Sequence, residues 1–170
     1  MFQPHLINNI VQDVNIARKA STLSTPAKSR FIFHFDLATP PFNNSFHYRS
    51  VVGKLNFCEK STCIEISYAT HQVSHFCKDL QRTNGTDINH LTSYLRGTRA
   101  DELIIDTNSE KYFEVYADAD FNRNRYRLMS SNDSNTENSW SGNIIIYTGL
   151  TIVWDSKLKT FLTLYFTKYD

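Results

Sequence analysis

The stretch Phe113-Glu114-Val115-Tyr116-Ala117-Asp118-Ala119-Asp120-Phe121 decides how the rest of the chain is interpreted. Apolar residues at 113, 115 and 117 alternate with more polar ones, which is the period-two pattern of a strand with one buried face. In an extended chain Asp118 and Asp120 point to the same side. Neighbouring carboxylates repel each other, and a cation such as Mg²⁺, which prefers oxygen ligands, is the usual reason to keep such a pair. The alternative is a solvated Asp-x-Asp turn that binds nothing.

Length and composition indicate a globular protein of one domain or two small ones. The chain has 170 residues, 41% hydrophobic and 14% aromatic, which excludes a disordered tail. Its formal net charge of +1 provides no overall field toward nucleic acid or membranes. No apolar run reaches a membrane-spanning length, and the N-terminus lacks a secretory pattern. With three cysteines, an odd number, we expect reduced thiols in an intracellular protein, cytoplasmic or nuclear and not secreted.

The first hundred residues carry helical periodicity. Pro4 suits the first turn of a helix, and the apolar residues after it predict a helix from about 4 to 17. Further helical patterns start near residue 46, cover about 64–78, and run from Thr86 or Asp87 to Gly97, which is placed to end the last helix.

After Gly97 the periodicity changes to that of strands. Leu103–Ile105 and the stretch around residue 115 are strand-like, and residues 122–141 form a long polar loop. The two apolar runs 143–147 and 151–154 flank the turn Thr148-Gly149-Leu150 and predict a hairpin.

Short segments spread over nearly the whole chain form a specific set by their order and spacing, although each is weak alone. These segments are Gln3-Pro4-His5-Leu6-Ile7, Ser45-Phe46-His47-Tyr48-Arg49-Ser50-Val51-Val52-Gly53-Lys54-Leu55-Asn56, Glu59-Lys60-Ser61-Thr62, Ile66-Ser67-Tyr68-Ala69, His71-Gln72, Tyr94-Leu95-Arg96-Gly97-Thr98, Val115–Phe121 and Trp154-Asp155-Ser156. Together they resemble the Ty1/copia class of retrotransposon polyproteins, at the end of the reverse transcriptase and the start of the ribonuclease H region.

The resemblance implies a fold and an ancestral reaction. Residues 1–100 would be a helical segment like the reverse transcriptase thumb and connection. Residues 101–170 would be an incomplete ribonuclease H-like fold with a three-stranded antiparallel sheet, giving an α+β (α/β) chain. The implied chemistry is hydrolysis of the RNA strand in an RNA–DNA hybrid by two Mg²⁺ ions, held by about four carboxylates. Asp118 would be the inherited first metal ligand, with Asp120 as a helper.

The C-terminal end departs from the family pattern. Aligned without gaps from Trp154, the next catalytic glutamate falls on Lys168, whose positive charge opposes a metal ion. Asp170 is no substitute, because two residues along a helix is about 200° round its axis. We therefore expect a degenerate fragment that binds Mg²⁺ weakly or not at all and has no nuclease or polymerase activity alone. An incomplete sheet leaves an open edge and an apolar face, which predicts marginal stability or self-association.

Basic residues follow the aspartate pair and suggest a second function. Arg123, Arg125 and Arg127, with Lys157 further along, are candidates for contact with a phosphate backbone. The alternative interpretation is a solvated loop, in keeping with the nearly neutral net charge. The function of a different class is therefore a non-catalytic module that binds nucleic acid or another partner.

Two cysteines and two histidines form a poor match to a zinc site. His71 and His75 lie one helical turn apart, which suits a shared metal. The gap between Cys63 and His71 is short for a zinc finger, however, and Cys58 and Cys63 straddle a turn between helices. We therefore predict no zinc.

Overall fold

The computed structural model describes residues 3–16, 21–28, 39–77, 80–100, 111–120 and 140–158. Within these ranges four α-helices precede a three-stranded antiparallel sheet, which confirms the predicted α+β class. None of the helices described is long and apolar enough to cross a membrane. The elements are α1 (Pro4–Val14), α2 (Tyr48–Ser61), a 3₁₀ turn (Ile64–Ile66), α3 (Ser67–His75), α4 (Arg82–Thr98), β1 (Phe113–Asp120), β2 (Trp140–Tyr147) and β3 (Leu150–Leu158).

Helix α1 begins at the predicted proline and ends earlier than predicted. Ile7, Ile10 and Val14 are buried and form its core-facing stripe. Asn15 then adopts a left-handed conformation with φ of 55°, and its N–H donates to the carbonyl of Gln12. Asparagine tolerates this conformation better than most residues, so the helix stops there.

The hydrophobic core lies among the four helices. Leu55, Ile66, Ile88 and Leu91 are fully buried at its centre. Burying each such side chain stabilises the fold by about 1.5–3 kcal/mol. The helical unit therefore provides the main hydrophobic stabilisation of the described chain.

An aromatic group closes one end of this core. The rings of Phe42 and Phe46 meet edge to face with their centroids 5.0 Å apart, and the ring of Tyr48 stacks on Phe46. The buried Tyr48 hydroxyl donates a hydrogen bond of 2.8 Å to the carbonyl of Val73, and burial raises the pKa of this tyrosine.

Helix α4 differs from the prediction at both ends. It begins at Arg82, because the Asn84 side chain accepts a 2.7 Å hydrogen bond from the backbone N–H of Gln81 in a capping box. Gly97 lies inside the last turn and does not end the helix. A Cβ there would lie 2.9 Å from the Cβ of Thr22, so glycine allows the 21–28 segment to approach the helix closely.

The predicted helix over 64–78 is also divided. A 3₁₀ turn occupies 64–66, and α3 runs only from Ser67 to His75.

The sheet has the order β1-β2-β3, with both pairings antiparallel. Thr148 and Gly149 connect β2 to β3 with φ values of 51° and 77°. Positive φ at both central residues is typical of the type I′ hairpin turn, so the predicted hairpin is confirmed. The predicted strand-like stretch Leu103–Ile105 lies outside the described residues.

The predicted buried face of β1 is wrong. Phe113 and Val115 are 66% and 67% exposed, although they alternate as expected. The physical reason is that the described helices contact the sheet at β3 and lie on the opposite face, the one that carries Tyr116 and Trp154. We call the exposed side the outer face. From the cross-strand register and the alternation of side chains, its apolar residues are Phe113, Val115, Ile145, Tyr147 and Val153.

Candidate functional site

The sheet is joined to the helices at the end of α2. The indole N–H of Trp154 on β3 donates a 3.0 Å hydrogen bond to the backbone carbonyl of Glu59. The next residue, Lys60, places its amino group 3.5 Å from the carboxylate of Asp155. One turn of α2 therefore holds two consecutive residues of β3.

Glu59 is itself fully buried at this junction. Its Oε1 accepts hydrogen bonds from the Ser67 hydroxyl at 2.7 Å and from the Lys60 amino group at 3.2 Å. Its Oε2 is buried without a hydrogen-bond partner in the described part of the chain. A buried carboxylate is costly unless it is paired, and the hydrogen bond that Glu59 accepts from Ser67 fixes the end of α2 against the start of α3.

A cleft of about 530 Å³ lies between the helical unit and the sheet. Tyr68 on α3 and Tyr116 on β1 are 39% and 56% exposed, and both line it together with the partly buried Trp154. The remaining lining residues are Ile64, Glu65, Ser67, Ala117, Asp118, Gly142, Asn143, Ile144, Asp155 and Ser156.

Asp118 lies at the cleft, on the same face of β1 as Tyr116. It is exposed, and it pairs across the strands with Gly142, which in turn pairs with Ser156. Because Gly142 has no side chain, the space beside the Asp118 carboxylate is open. The hydroxyl of Tyr116 donates to the carboxylate of Glu114, one position nearer the strand start on that face.

Three carboxylates line the described part of the cleft without forming a metal-binding group. Glu65, Asp118 and Asp155 all line it, yet no three His, Cys, Asp or Glu side chains of the described ranges come close enough to hold a metal. The backbone of Asp120 pairs with that of Trp140, and the structure does not describe the side chain of Asp120. The carboxylate cage that two Mg²⁺ ions require is therefore not assembled by the described residues.

Asp155 is already engaged by two lysines. Its carboxylate lies 2.8 Å from the amino group of Lys157, in addition to its contact with Lys60. Burial by itself would raise the pKa of Asp155, but Lys157 and then Lys60 outweigh it and lower that pKa.

Of the basic residues predicted to contact a phosphate backbone, the structure describes one, Lys157. Lys157 is exposed on β3 and engaged with Asp155. The other predicted contact residues, Arg123, Arg125 and Arg127, and the lost catalytic position Lys168 lie outside the described residues.

The four residues of the weak zinc pattern are divided between two places. Cys58 Sγ and Cys63 Sγ lie 3.2 Å apart. His71 and His75 lie on α3, and burial lowers the pKa of His71. Among the residues described, these side chains do not form a group that could hold a metal.

Sequence reasoning missed Glu59 and Tyr68. A signal for Glu59 was present, since it follows Val52 and Leu55 at helical spacing and so falls on the buried stripe of α2. No such signal marked Tyr68 in the sequence, because an exposed aromatic residue can be assigned to a cleft only when the neighbouring strands have been placed.

The chain matches no protein-family profile. It matches no solved structure. It is 28% identical over 123 residues, 72% of its length, to the Retrovirus-related Pol polyprotein from transposon TNT 1-94 of Nicotiana tabacum, and it spans 8% of that protein. This similarity supports an origin of the chain as a fragment of a retrotransposon polyprotein.

Proposed function

We propose that the chain derives from the reverse transcriptase–ribonuclease H junction of a Ty1/copia-type polyprotein and contacts nucleic acid without cutting it. The similarity to a Pol polyprotein supports the origin. The observation that carries the contact is the cleft that the exposed side chains of Tyr68 and Tyr116 line together with Asp118.

Exposed aromatic rings in a cleft suit nucleobases. Stacking of a base on such a ring contributes about 1–3 kcal/mol and does not depend on base identity. Lys60 and Lys157 already compensate the charge of Asp155, whereas Asp118, which is exposed in the cleft, would repel a phosphate. The ligand we propose is a single strand of RNA or DNA, including the unpaired end of an RNA–DNA hybrid.

Hydrolysis is not part of the proposal. Two-metal cleavage needs several carboxylates converging on paired ions, and among the described residues Asp118 has no carboxylate neighbours that would complete such a site. We propose that Mg²⁺ binds weakly if at all and is not required for the contact.

Binding is tested with a fluorescently labelled RNA–DNA hybrid that carries a single-stranded overhang, because unpaired bases can stack on the tyrosines. Anisotropy is measured in EDTA and again in Mg²⁺. Tyr68→Ala and Tyr116→Ala should each weaken binding by about 5- to 100-fold, the equivalent of losing one stacked base. Tyr112→Ala is the matched control, because Tyr112 is also an exposed tyrosine at β1 and does not line the cleft. No binding at low salt, or equal losses in all three variants, would show the contact to be wrong.

Asp118→Asn separates a contact surface from a metal site. In EDTA it should tighten binding by about two- to threefold, because one negative charge near the phosphates is removed in a high-dielectric cleft. Asp13→Asn on α1 changes the net charge equally, away from the cleft, and should have a smaller effect. Mg²⁺-dependent cleavage of the RNA strand that disappears in Asp118→Asn would overturn the non-hydrolytic part of the proposal.

A further inference from the structure

The end of α2 holds two free thiols in direct contact. Cys58 lies in the last turn of the helix and Cys63 just beyond it, with their Sγ atoms 3.2 Å apart. The chain turns back sharply here, since the carbonyl of Cys58 accepts hydrogen bonds from the N–H groups of both Thr62 and Cys63. The backbone therefore holds the two sulfurs together.

The two thiols are not equivalent. Cys58 is fully buried, whereas Cys63 is 9% exposed and belongs to the connection before the 3₁₀ turn. The Cys58 thiol donates a hydrogen bond to Cys63 Sγ, and the hydroxyl of Thr62 lies 3.5 Å from the same sulfur. The hydrogen bond from Cys58 is the main cause of a lowered pKa at Cys63, while that of Cys58 is raised. Cys63 lies nearer the surface and outside the helix, so it is the thiol better placed to attack, and the fully buried Cys58 beside it is placed to resolve the mixed disulfide.

We propose that Cys58 and Cys63 are a reversible redox modification site, which closes to an intramolecular disulfide by exchange with a small-molecule disulfide such as oxidised glutathione. The Cys63 thiolate attacks one sulfur of that disulfide, forms a mixed disulfide and expels one thiolate. Cys58 then loses its proton and attacks Cys63 Sγ, expelling the second thiolate. The two electrons leave with the small molecule, and the two cysteine protons end on its two released thiols.

Closure requires little movement. A disulfide bond is about 2.05 Å long, so the sulfurs must approach by about 1 Å from their present 3.2 Å. The turn that brings them together is already formed by backbone hydrogen bonds. Such preorganisation favours the intramolecular bond over the mixed disulfide.

The bond would form beside the junction with the sheet. Glu59 and Lys60 lie between the two cysteines and hold Trp154 and Asp155 of β3. A shift in this turn should therefore change the surroundings of the Trp154 indole. The chain has two tryptophans, so a Trp140→Phe background isolates the fluorescence of Trp154.

The test equilibrates the full chain in glutathione redox buffers and maps alkylated thiols by mass spectrometry. Oxidation should protect Cys58 and Cys63 together as one linked peptide and leave Cys77 alkylated. The equilibrium constant should exceed that of a synthetic peptide covering residues 55–66 by at least about tenfold, equivalent to about 30 mV. In the Trp140→Phe background the emission of Trp154 should change over the same redox range.

Variants separate this pair from nonspecific oxidation. Cys77→Ser should behave like the parent chain, whereas Cys63→Ser should yield no intramolecular link and no redox-dependent change of Trp154 emission. Mixed disulfides that never resolve, linkage through Cys77, or an equilibrium constant no higher than the peptide's would overturn the proposal. Because mapping of the unmodified chain is the primary result, a variant that fails to fold does not affect the outcome.

Discussion

Two helical glycines differ in the space around them: Gly53 in α2 borders open space, and Gly85 in α4 contacts the ring of Phe42. Replacing each by alanine tests how tightly α4 packs against the aromatic group. In the interior of a helix, replacing glycine by alanine gains about 1 kcal/mol of stability. At Gly53 in α2 a new Cβ would meet nothing within 4 Å, so the whole gain should appear. At Gly85 in α4 the same Cβ would lie 2.5 Å and 2.8 Å from two ring carbons of Phe42.

The cost at Gly85 follows from the position of that ring. Carbon atoms pack at about 3.5–4.0 Å, so the Phe42 ring would have to move by about 1 Å. Its neighbours oppose this, since Phe42 is buried with ring centroids 5.0 Å from Phe46 and 5.9 Å from Tyr48. Overpacking of this kind costs about 1–3 kcal/mol. Gly85→Ala should therefore range from neutral to about 2 kcal/mol destabilising, and lie about 1–3 kcal/mol below Gly53→Ala.

Urea unfolding followed by far-ultraviolet circular dichroism measures both variants. Thermal unfolding should agree, with about 2–4 °C per kcal/mol for a chain of this length. Phe42→Leu should cost less in the Gly85→Ala background than in the parent chain, because the smaller side chain leaves room for the new methyl group. If both glycine variants are equally stabilised, or if Phe42→Leu costs the same in both backgrounds, the reasoning about this contact is wrong.

Three further predictions concern the hairpin, a buried carboxylate and the outer face. Thr148→Asn should stabilise the fold by about 0.5–1 kcal/mol in urea unfolding, because Thr148 is β-branched at φ of 51° and Asn-Gly is favoured in type I′ turns; no gain would contradict that turn assignment. Burial raises the pKa of Asp87 to about 6, with Lys28 opposing. Between about pH 4 and 6 Asp87 is protonated in the native state but ionised in the unfolded state. The contribution of Asp87 to the free energy of unfolding therefore falls as pH rises from about 4 to 6 and is constant above about pH 6. Asp87→Asn should abolish that fall and gain up to roughly 3 kcal/mol at pH 7; an unchanged pH profile of the free energy of unfolding would refute it. Val115→Lys should reduce self-association in sedimentation velocity, because it places a charge in the exposed apolar outer face. Glu114→Lys on the opposite face is the control, and equal effects would exclude the outer face as the contact.

The sequence predicted local structure well where one chemical signal dominated. Pro4 marked the first turn of α1, and the Thr148-Gly149 turn between apolar runs marked the hairpin. It failed where a tertiary contact decided the outcome. Gly97 looks like a helix end, but its lack of a Cβ serves the close approach of Thr22. Gln81 is not a favoured cap residue, yet with Asn84 it starts α4 one turn early.

The candidate site was predictable only in part, because it is built from two distant regions. The alternation around Asp118 correctly predicted a strand that presents this carboxylate. The same alternation could not reveal which face would be covered, since the covering depends on where Glu59 holds Trp154. Tyr68 on α3 could not be predicted to line the same cleft, because this depends on the packing of α3 against β3.

The attachment of the sheet also explains why one short segment matters to both proposals. The described helices bury a continuous core, whereas β1 leaves large apolar side chains in solvent. The sheet therefore gains little stabilisation from its own packing and depends on its junction with the helices. Glu59 and Lys60 contribute to that junction together with the packing of α3 on β3, and the β3 residues that they contact, Trp154 and Asp155, line the cleft. A bond between Cys58 and Cys63 would therefore act next to the cleft wall that Trp154 and Asp155 form, without involving the residues proposed to stack on a base.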